Sequence, residues 1–184
     1  RPSLIVRLRF LLTSTVSSFL GLFGYTQRQL VVCGYPRSGT SLIYNMLSAS
    51  LGAHLKFLPF ENYFIYSIHR IGSIATKAPM DLFHLKELSS LNVNNKDIIV
   101  IIMVRDIREI LTSKHPIYPD EYFIGYDSSF WPQTKEFTEW AYNAPGIVDI
   151  YEEICRIKNL KGVKLVKYEN LVLCPDSVQN KISG

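Results

Sequence analysis

Apolar residues in this chain form short continuous runs that alternate with segments of helical periodicity. Continuous runs bounded by polar turns are typical of strands buried on both faces of a parallel sheet, and they predict strands over 30–34, 98–104 and 162–166, with a short extra strand near 55–58. Helical spacing predicts helices over 40–51, 62–74, 81–91, 107–113, 135–143 and 145–158. This alternation predicts an α/β fold of three layers, α/β/α, around a central and mainly parallel sheet, with the site at the carboxyl ends of the strands.

The N-terminal segment differs from the rest of the chain. Residues 3–25 are rich in Leu, Phe, Val and Ile but are interrupted by Arg7, Arg9 and a run of Thr and Ser. Their uninterrupted part, 10–25, is shorter than the roughly 20 apolar residues that a membrane-spanning helix needs. We interpret 1–28 as an amphipathic helix that packs or lies at an interface, with a membrane anchor or signal remnant as the alternative. The protein is accordingly expected to be cytoplasmic or membrane-associated.

Composition narrows the class of protein. Of the 184 residues, 47% are hydrophobic and 20% charged, which excludes a disordered chain and suits one compact domain over 29–184. The net charge is only +4 and no Lys/Arg block occurs, so no nucleic-acid partner is predicted. Three widely separated cysteines, Cys33, Cys155 and Cys174, predict free thiols, and no spacing indicates a metal site.

The strand over 30–34 leads into the turn Gly34-Tyr35-Pro36-Arg37-Ser38-Gly39-Thr40-Ser41 and then into a helix. The first N–H groups of a helix have no partner within it and can bind an anion, and glycine allows the backbone close approach. Gly34 and Gly39 have the spacing of a phosphate-binding Walker A loop, but its lysine after Gly39 is missing and Arg37 stands inside the loop. These residues fit an anion-binding loop, a degenerate nucleotide-binding loop or a plain turn between strand and helix.

The loop motif resembles the 5′-phosphosulfate loop of the sulfotransferase family, which uses 3′-phosphoadenosine 5′-phosphosulfate (PAPS). Arg37 stands where cytosolic members of the family have a catalytic lysine, and in this respect the loop resembles the carbohydrate and tyrosylprotein branches, in which arginine is common at this position. The resemblance implies that Arg37 stabilises charge on the transferred group by electrostatics, because a guanidinium does not readily give up its proton. It implies that PAPS is bound by Arg37, Ser38, Gly39, Thr40 and Ser41.

A second segment resembles the family's 3′-phosphate site. The strand over 98–104 ends in Arg105-Asp106-Ile107-Arg108, and Ser113 follows. The resemblance implies that Arg105 and Ser113 hold the 3′-phosphate of PAPS. Alone, the segment is better explained as an ordinary charged helix start, with Asp106 favourable near the positive end of the helix dipole. The match of two segments in the order of the family favours the phosphate site.

A third segment, 164–172, is similar to the family's strand followed by Tyr-Glu-Asp-Leu, with Asn170 in place of the acidic residue. Tyr168 and Glu169 are interpreted as residues that hold the loops in place.

Two further residues are candidates for the chemistry. Glu61 resembles the glutamate that tyrosylprotein sulfotransferases place after the second strand, and Lys77 matches a Lys-x-Pro segment that directs a lysine toward the sulfate. The alternatives are a solvated carboxylate at a helix start for Glu61 and a surface lysine for Lys77. The four histidines match no family base.

The resemblance implies a sulfotransferase domain over 29–184, expected to be incomplete at its C-terminus. Its predicted reaction is sulfuryl transfer from PAPS to an acceptor hydroxyl, without a metal. Arg37 and the aromatic connection over 116–132 favour a carbohydrate acceptor, with a peptide tyrosine or a lipid as the alternatives. The expected partner is accordingly a small-molecule or glycan acceptor. The alternatives are a catalytically impaired module that binds PAPS or its product, and a P-loop kinase, which the missing lysine disfavours.

Overall fold

The structure, a computed structural model, describes residues 26–92, 94–114, 123–130 and 143–183. The strands within these ranges are β1 Arg28–Gly34, β2 Lys56–Phe57, β3 Ile74–Lys77, β4 Asp97–Val104, β5 Phe123–Ile124, β6 Ser128–Phe130, β7 Asn143–Pro145 and β8 Val163–Lys167. The helices are α1 Thr40–Leu51, α2 Leu88–Leu91, α3 Ile107–Thr112, α4 Ile147–Ile157, α5 Tyr168–Leu173 and α6 Pro175–Ser183. Two segments, Phe64–Tyr66 and Pro79–Glu87, are 3₁₀ helices.

Five parallel strands form the central sheet in the order β2-β3-β1-β4-β8. The central strand β1 pairs with β3 on one side and with β4 on the other. Because the strands are parallel, the loops that follow β1, β3, β4 and β8 leave the sheet at the same edge. A separate antiparallel sheet contains β5, β6 and β7.

Side chains of β1 alternate between two hydrophobic cores. Val31 and Cys33 pack on one face with α4 and both 3₁₀ helices. Leu30 and Val32 pack on the other face with α1, α5 and α6. Each face of the sheet is therefore covered by helices, which confirms the predicted three-layer α/β/α fold with a mainly parallel sheet.

Two of the predicted helices are wrong. The segment predicted as helix over 62–74 contains only a short 3₁₀ turn, and its end belongs to β3, where the sequence predicted no strand. A distant side chain takes a backbone group that a continuous helix needs, since the Asp81 carboxylate accepts the N–H of Phe64. The segment predicted as helix over 81–91 is mostly 3₁₀, with α2 as its last turn.

Other predictions agree with the structure or lie outside the described residues. The helices over 40–51, 107–113 and 145–158 and the four predicted strands are present, with ends shifted by one to two residues. All three cysteines are free thiols, with Cys33 buried and the other two exposed. The N-terminal segment 3–25 and the predicted helix over 135–143 lie outside the described residues, apart from Asn143, which begins β7. No helix within the described ranges has both the length and the apolar character to span a bilayer.

Candidate active site

The loop between β1 and α1 begins at a close contact between two backbones. Gly34 adopts φ 130°, and a Cβ at this position would lie 2.2 Å from the carbonyl oxygen of Met103 in β4. The next residue, Tyr35, donates its N–H to the same carbonyl at 3.2 Å. Only glycine fits at position 34, and the loop therefore starts directly beside the end of β4.

Ser38 shapes the interior of this loop. Its buried hydroxyl donates to the carbonyl oxygens of Tyr35, at 2.6 Å, and Met103, at 3.2 Å. Its N–H also donates to the Tyr35 carbonyl, at 3.2 Å. The polar groups of Ser38 are thus engaged within the loop in this structure.

The loop ends at Gly39, which precedes α1 with φ 89° and has no side chain to cap the helix. The N–H groups of the first helical turn, which have no partner inside a helix, therefore receive no capping bond from this position. Thr40 is buried at the first helical position, whereas Ser41 is exposed. The start of α1 thus presents backbone donors at the carboxyl edge of the sheet, as an anion site requires.

Arg37 joins the loop to the segment after β4. Its Nε donates to the Ser113 hydroxyl at 3.3 Å, and its Nη2 donates to the Lys114 carbonyl at 2.6 Å. In return, Nη1 of Arg105 donates to the carbonyl oxygen of Arg37 at 3.1 Å. Arg37 itself has a left-handed backbone with φ 66°, which is rare for a residue other than glycine. The residues of the two predicted phosphate sites are therefore in direct contact.

Tyr168 lies where these two groups of residues meet. A Cβ at Gly39 would lie 2.5 Å from its ring, and the guanidinium of Arg105 lies over the same ring, 4.4 Å from its centroid. The following residue, Glu169, accepts the N–H of Asp106 at 2.9 Å. These contacts agree with the interpretation that both residues hold the loops. They also place Tyr168 in the site, which the sequence prediction missed although its position directly after β8 marks the carboxyl edge of the sheet.

Lys77 and Glu61 approach the start of α1 from the side of β3. The Lys77 amine donates to the Ser41 hydroxyl at 2.9 Å and lies 4.0 Å from a carboxylate oxygen of Glu61. Lys77 is largely covered, with 12% of its side chain exposed, whereas 61% of Glu61 is exposed. Asn62 donates its N–H to the Lys77 carbonyl at 3.0 Å, which fixes the segment after Glu61 to the end of β3.

The sequence matches the sulfotransferase-domain family over residues 27–183, nearly the whole of the described chain. The chain belongs to the sulfotransferase family. Among solved structures, a crystal structure of mouse sulfotransferase SULT7A1 complexed with PAP is similar, with a TM-score of 0.49 and 15% sequence identity. The similarity covers 86% of this chain and 56% of the mouse protein, so the chain spans little more than half the length of that relative. No curated protein matches the sequence.

Within this member of the sulfotransferase family the two arginines that follow β4 have different surroundings. Arg105 is partly buried between the Arg37 carbonyl, the Tyr168 ring and Glu109, whose carboxylate lies 3.1 Å away. Arg108 is 88% exposed, and both its guanidinium and its N–H donate to Asp106. These bonds lower the pKa of Asp106 to about 2. Arg105 therefore lies among the candidate site residues, whereas Arg108 and Asp106 lie at the surface, at the start of α3.

The predicted site residues thus form two groups that share the loop before α1. Arg37, Arg105 and Ser113 lie on its β4 side, and Ser41, Lys77 and Glu61 lie on its β3 side. Within the ranges that the structure describes, no three His, Cys, Asp or Glu side chains cluster as a metal site would. The arrangement offers cations, hydroxyls and helix N–H groups to an extended anion, with one carboxylate beside a lysine.

Proposed function

We propose that the protein binds PAPS and transfers its sulfuryl group to an acceptor hydroxyl. The observation that carries this proposal is the hydrogen bond from Arg105 to the Arg37 carbonyl, because it joins the two predicted phosphate-binding segments into one continuous surface. Membership of the sulfotransferase family supports the same reaction class.

The two groups of residues suit the two ends of PAPS. Arg105 and Ser113 supply a guanidinium and a hydroxyl for the 3′-phosphate, and charge-assisted bonds of this kind are the strong ones. The first turn of α1, with Thr40 and Ser41, faces the 5′-phosphosulfate. In the present structure Nε of Arg37 donates to the Ser113 oxygen. A serine hydroxyl that accepts one hydrogen bond can still donate its own proton, so Ser113 can bind a phosphate oxygen while it keeps its bond to Arg37.

In the proposed reaction the acceptor oxygen attacks the sulfur while the bond from sulfur to the bridging oxygen of the 5′-phosphate breaks. The acceptor proton passes to Glu61, and adenosine 3′,5′-bisphosphate leaves. Lys77 and Arg37 stabilise the charge that develops on the sulfuryl and bridging oxygens, as preorganised cations do in other transfers of charged groups. The 4.0 Å separation of the Glu61 carboxylate and the Lys77 amine supports this assignment, because an acceptor oxygen bound between them contacts both groups.

We further propose that the acceptor is a carbohydrate. Arginine at position 37 supports a carbohydrate or a tyrosylprotein acceptor through the resemblance to these two branches, and the aromatic residues near Glu61 favour the carbohydrate. Phe60, next to Glu61 in sequence, is 88% exposed, and Tyr63 and Tyr66, two and five residues after Glu61, form an edge contact. The segment that carries the carboxylate therefore also carries flat apolar faces suited to a sugar ring, which supports this acceptor. Association with a membrane through residues 3–25 stays a prediction.

Donor binding is tested by calorimetry with adenosine 3′,5′-bisphosphate in the presence of a chelator. We expect binding by the wild-type chain and a loss of about tenfold to a hundredfold in Arg105→Ala, because that change removes a charge-assisted bond to phosphate. Arg108→Ala, three residues away and exposed, is the matched control and should bind normally. No heat at millimolar nucleotide contradicts the proposal, and binding of ATP that requires magnesium favours a kinase instead.

Transfer is tested with ³⁵S-labelled PAPS against N-acetyllactosamine, an acidic tyrosine peptide and a phenol. Label on the disaccharide supports the proposed acceptor, and label on the peptide or the phenol alone corrects it. Nucleotide binding without transfer to any of the three favours the impaired binding module.

A further inference from the structure

Asp81 is a fully buried carboxyl group outside the residues assigned so far. It lies in the 3₁₀ helix that follows β3, on the core face that also contains Cys33 and Phe64. One carboxylate oxygen, Oδ2, accepts the N–H of Phe64 at 3.0 Å, while Oδ1 has no hydrogen-bond partner within the part of the chain that the structure describes. Burial of a carboxylate among apolar side chains is costly, and here it raises the pKa of Asp81 to about 7.

The bond to Phe64 caps a short helix from a distance of 17 residues in sequence. Phe64 is the first residue of the 3₁₀ turn Phe64–Tyr66, and the residue before it, Tyr63, provides no side-chain cap. The Asp81 carboxylate therefore takes the place of a local capping group. Its contact fixes where the chain turns after Glu61.

Asp81 is in turn fixed to the central strand. Its N–H donates to the Ala78 carbonyl at 3.1 Å, and the N–H of Ala78 donates to the carbonyl of Val32 in β1 at 3.1 Å. The same β1 continues into the loop before α1. The position of the carboxylate is thus set by the strand that also sets the anion site.

The segment 61–64 is consequently held at two points. Asn62 is bonded to the Lys77 carbonyl at the end of β3, and Phe64 is bonded to Asp81. Glu61 itself is exposed and makes its contact with Lys77 only at 4.0 Å, so its direction depends on the backbone that carries it.

We propose that Asp81 is a positioning residue for the Glu61–Lys77 pair, acting through the N–H of Phe64. This inference rests on the proposed function, since it concerns the group assigned as the base. Asp81 touches neither donor nor acceptor. Its effect is on the geometry of transfer and not on the binding of the nucleotide.

The test compares Asp81→Ala with Asp81→Asn, which keeps an oxygen for the Phe64 N–H. We expect the alanine variant to lose about tenfold to a hundredfold in kcat per nucleotide-binding molecule, because small misplacements of a reacting group cost this much. The asparagine variant should regain most of that loss, and both should bind adenosine 3′,5′-bisphosphate normally.

If the alanine variant does not fold, Asp81→Leu provides the same comparison with a side chain of similar shape. Glu153→Gln is the control, because Glu153 is also buried but lies in α4, paired with Arg156 at 2.8 Å.

A double-mutant cycle with Glu61→Gln identifies the route of the effect. If Asp81 acts through Glu61, Asp81→Ala reduces kcat little further in the Glu61→Gln background, whereas full additivity overturns the inference. If the wild-type protein is active and Asp81→Ala has the same kcat, the positioning role is overturned and the proposed function is unaffected. A wild-type chain that transfers no sulfate contradicts the proposed function itself, and the positioning role falls with it.

Discussion

The guanidinium carbon Cζ of Arg105 lies over the ring of Tyr168, 4.4 Å from the ring centroid. The same ring also packs against Gly39, where the absence of a Cβ leaves room for it. One aromatic side chain thus supports both the cation assigned to the 3′-phosphate and the start of the helix assigned to the 5′-phosphosulfate.

Removal of this ring should weaken nucleotide binding. We expect Tyr168→Ala to raise the Kd for adenosine 3′,5′-bisphosphate by about fivefold to thirtyfold, since a cation–π contact of a partly buried arginine contributes about 1–2 kcal/mol. Tyr168→Phe keeps the aromatic ring and with it the cation–π contact, so its Kd for adenosine 3′,5′-bisphosphate should stay within about twofold of wild type. Tyr151→Ala, which removes an exposed tyrosine of α4, is the calorimetric control, and equal losses in Tyr151→Ala and Tyr168→Ala would contradict a specific role for Tyr168.

The contact between the loop and β4 should be sensitive to a single methyl group. Gly34→Ala places a Cβ against the Met103 carbonyl, so we expect a loss of about 3 kcal/mol or more in the free energy of unfolding, measured by urea denaturation. Gly72→Ala is the matched control. Gly72 also has a positive φ, 97°, but no atom lies within 4 Å of the added Cβ, so only the backbone strain of about 1 kcal/mol remains. Equal losses in both variants would show that strain, and not close contact, requires glycine at position 34.

Lys77 should contribute to turnover more than to donor binding. We expect Lys77→Met to lower kcat by about a hundredfold, a loss typical of removing one preorganised group that stabilises developing charge. Lys56→Met, which removes an exposed lysine of the neighbouring strand β2, should leave kcat unchanged. A rise in the KM for PAPS with unchanged kcat would instead assign Lys77 to ground-state binding.

The raised pKa of Asp81 predicts a pH dependence of stability. Because its pKa rises from 3.8 to about 7 on folding, the folded state binds one more proton than the unfolded state between about pH 4 and pH 7. The free energy of unfolding should therefore fall as the pH rises through this window and level off above it. Asp81→Asn should remove the fall and be more stable than wild type at pH 8 by about 2–4 kcal/mol, with little difference at pH 4. Urea denaturation across this range measures it, and parallel curves for the two proteins would contradict the assignment.

Long apolar runs and glycine-bracketed turns made the centre of the fold predictable. β1 and β4 are continuous and apolar, and α1 has apolar residues at helical spacing after Gly39, so the strand, loop and helix could be placed from local pattern. The site residues could be named through the resemblance to the sulfotransferase family. Arg37 and Arg105 lie in the loops after β1 and β4, and the carboxyl ends of these parallel strands meet at one edge of the sheet.

Elements that depend on distant partners could not be placed in this way. β3 has only four residues and ends in Thr76 and Lys77, so its position between β1 and β2 is visible only in the assembled sheet. The 3₁₀ turn at Phe64 depends on a carboxylate 17 residues away. Likewise, the contact of Tyr168 with Gly39 joins residues that no short-range pattern relates.

The distribution of the three thiols has a practical consequence. Cys155 and Cys174 are exposed, whereas Cys33 is fully buried near the carboxyl end of β1, and burial raises the pKa of its thiol. Maleimide dyes added to the native protein will mark α4 and the turn before α6 and leave the strand beneath the loop untouched. The fraction of Cys33 that becomes labelled will then measure the fraction of molecules in which the central sheet has unfolded.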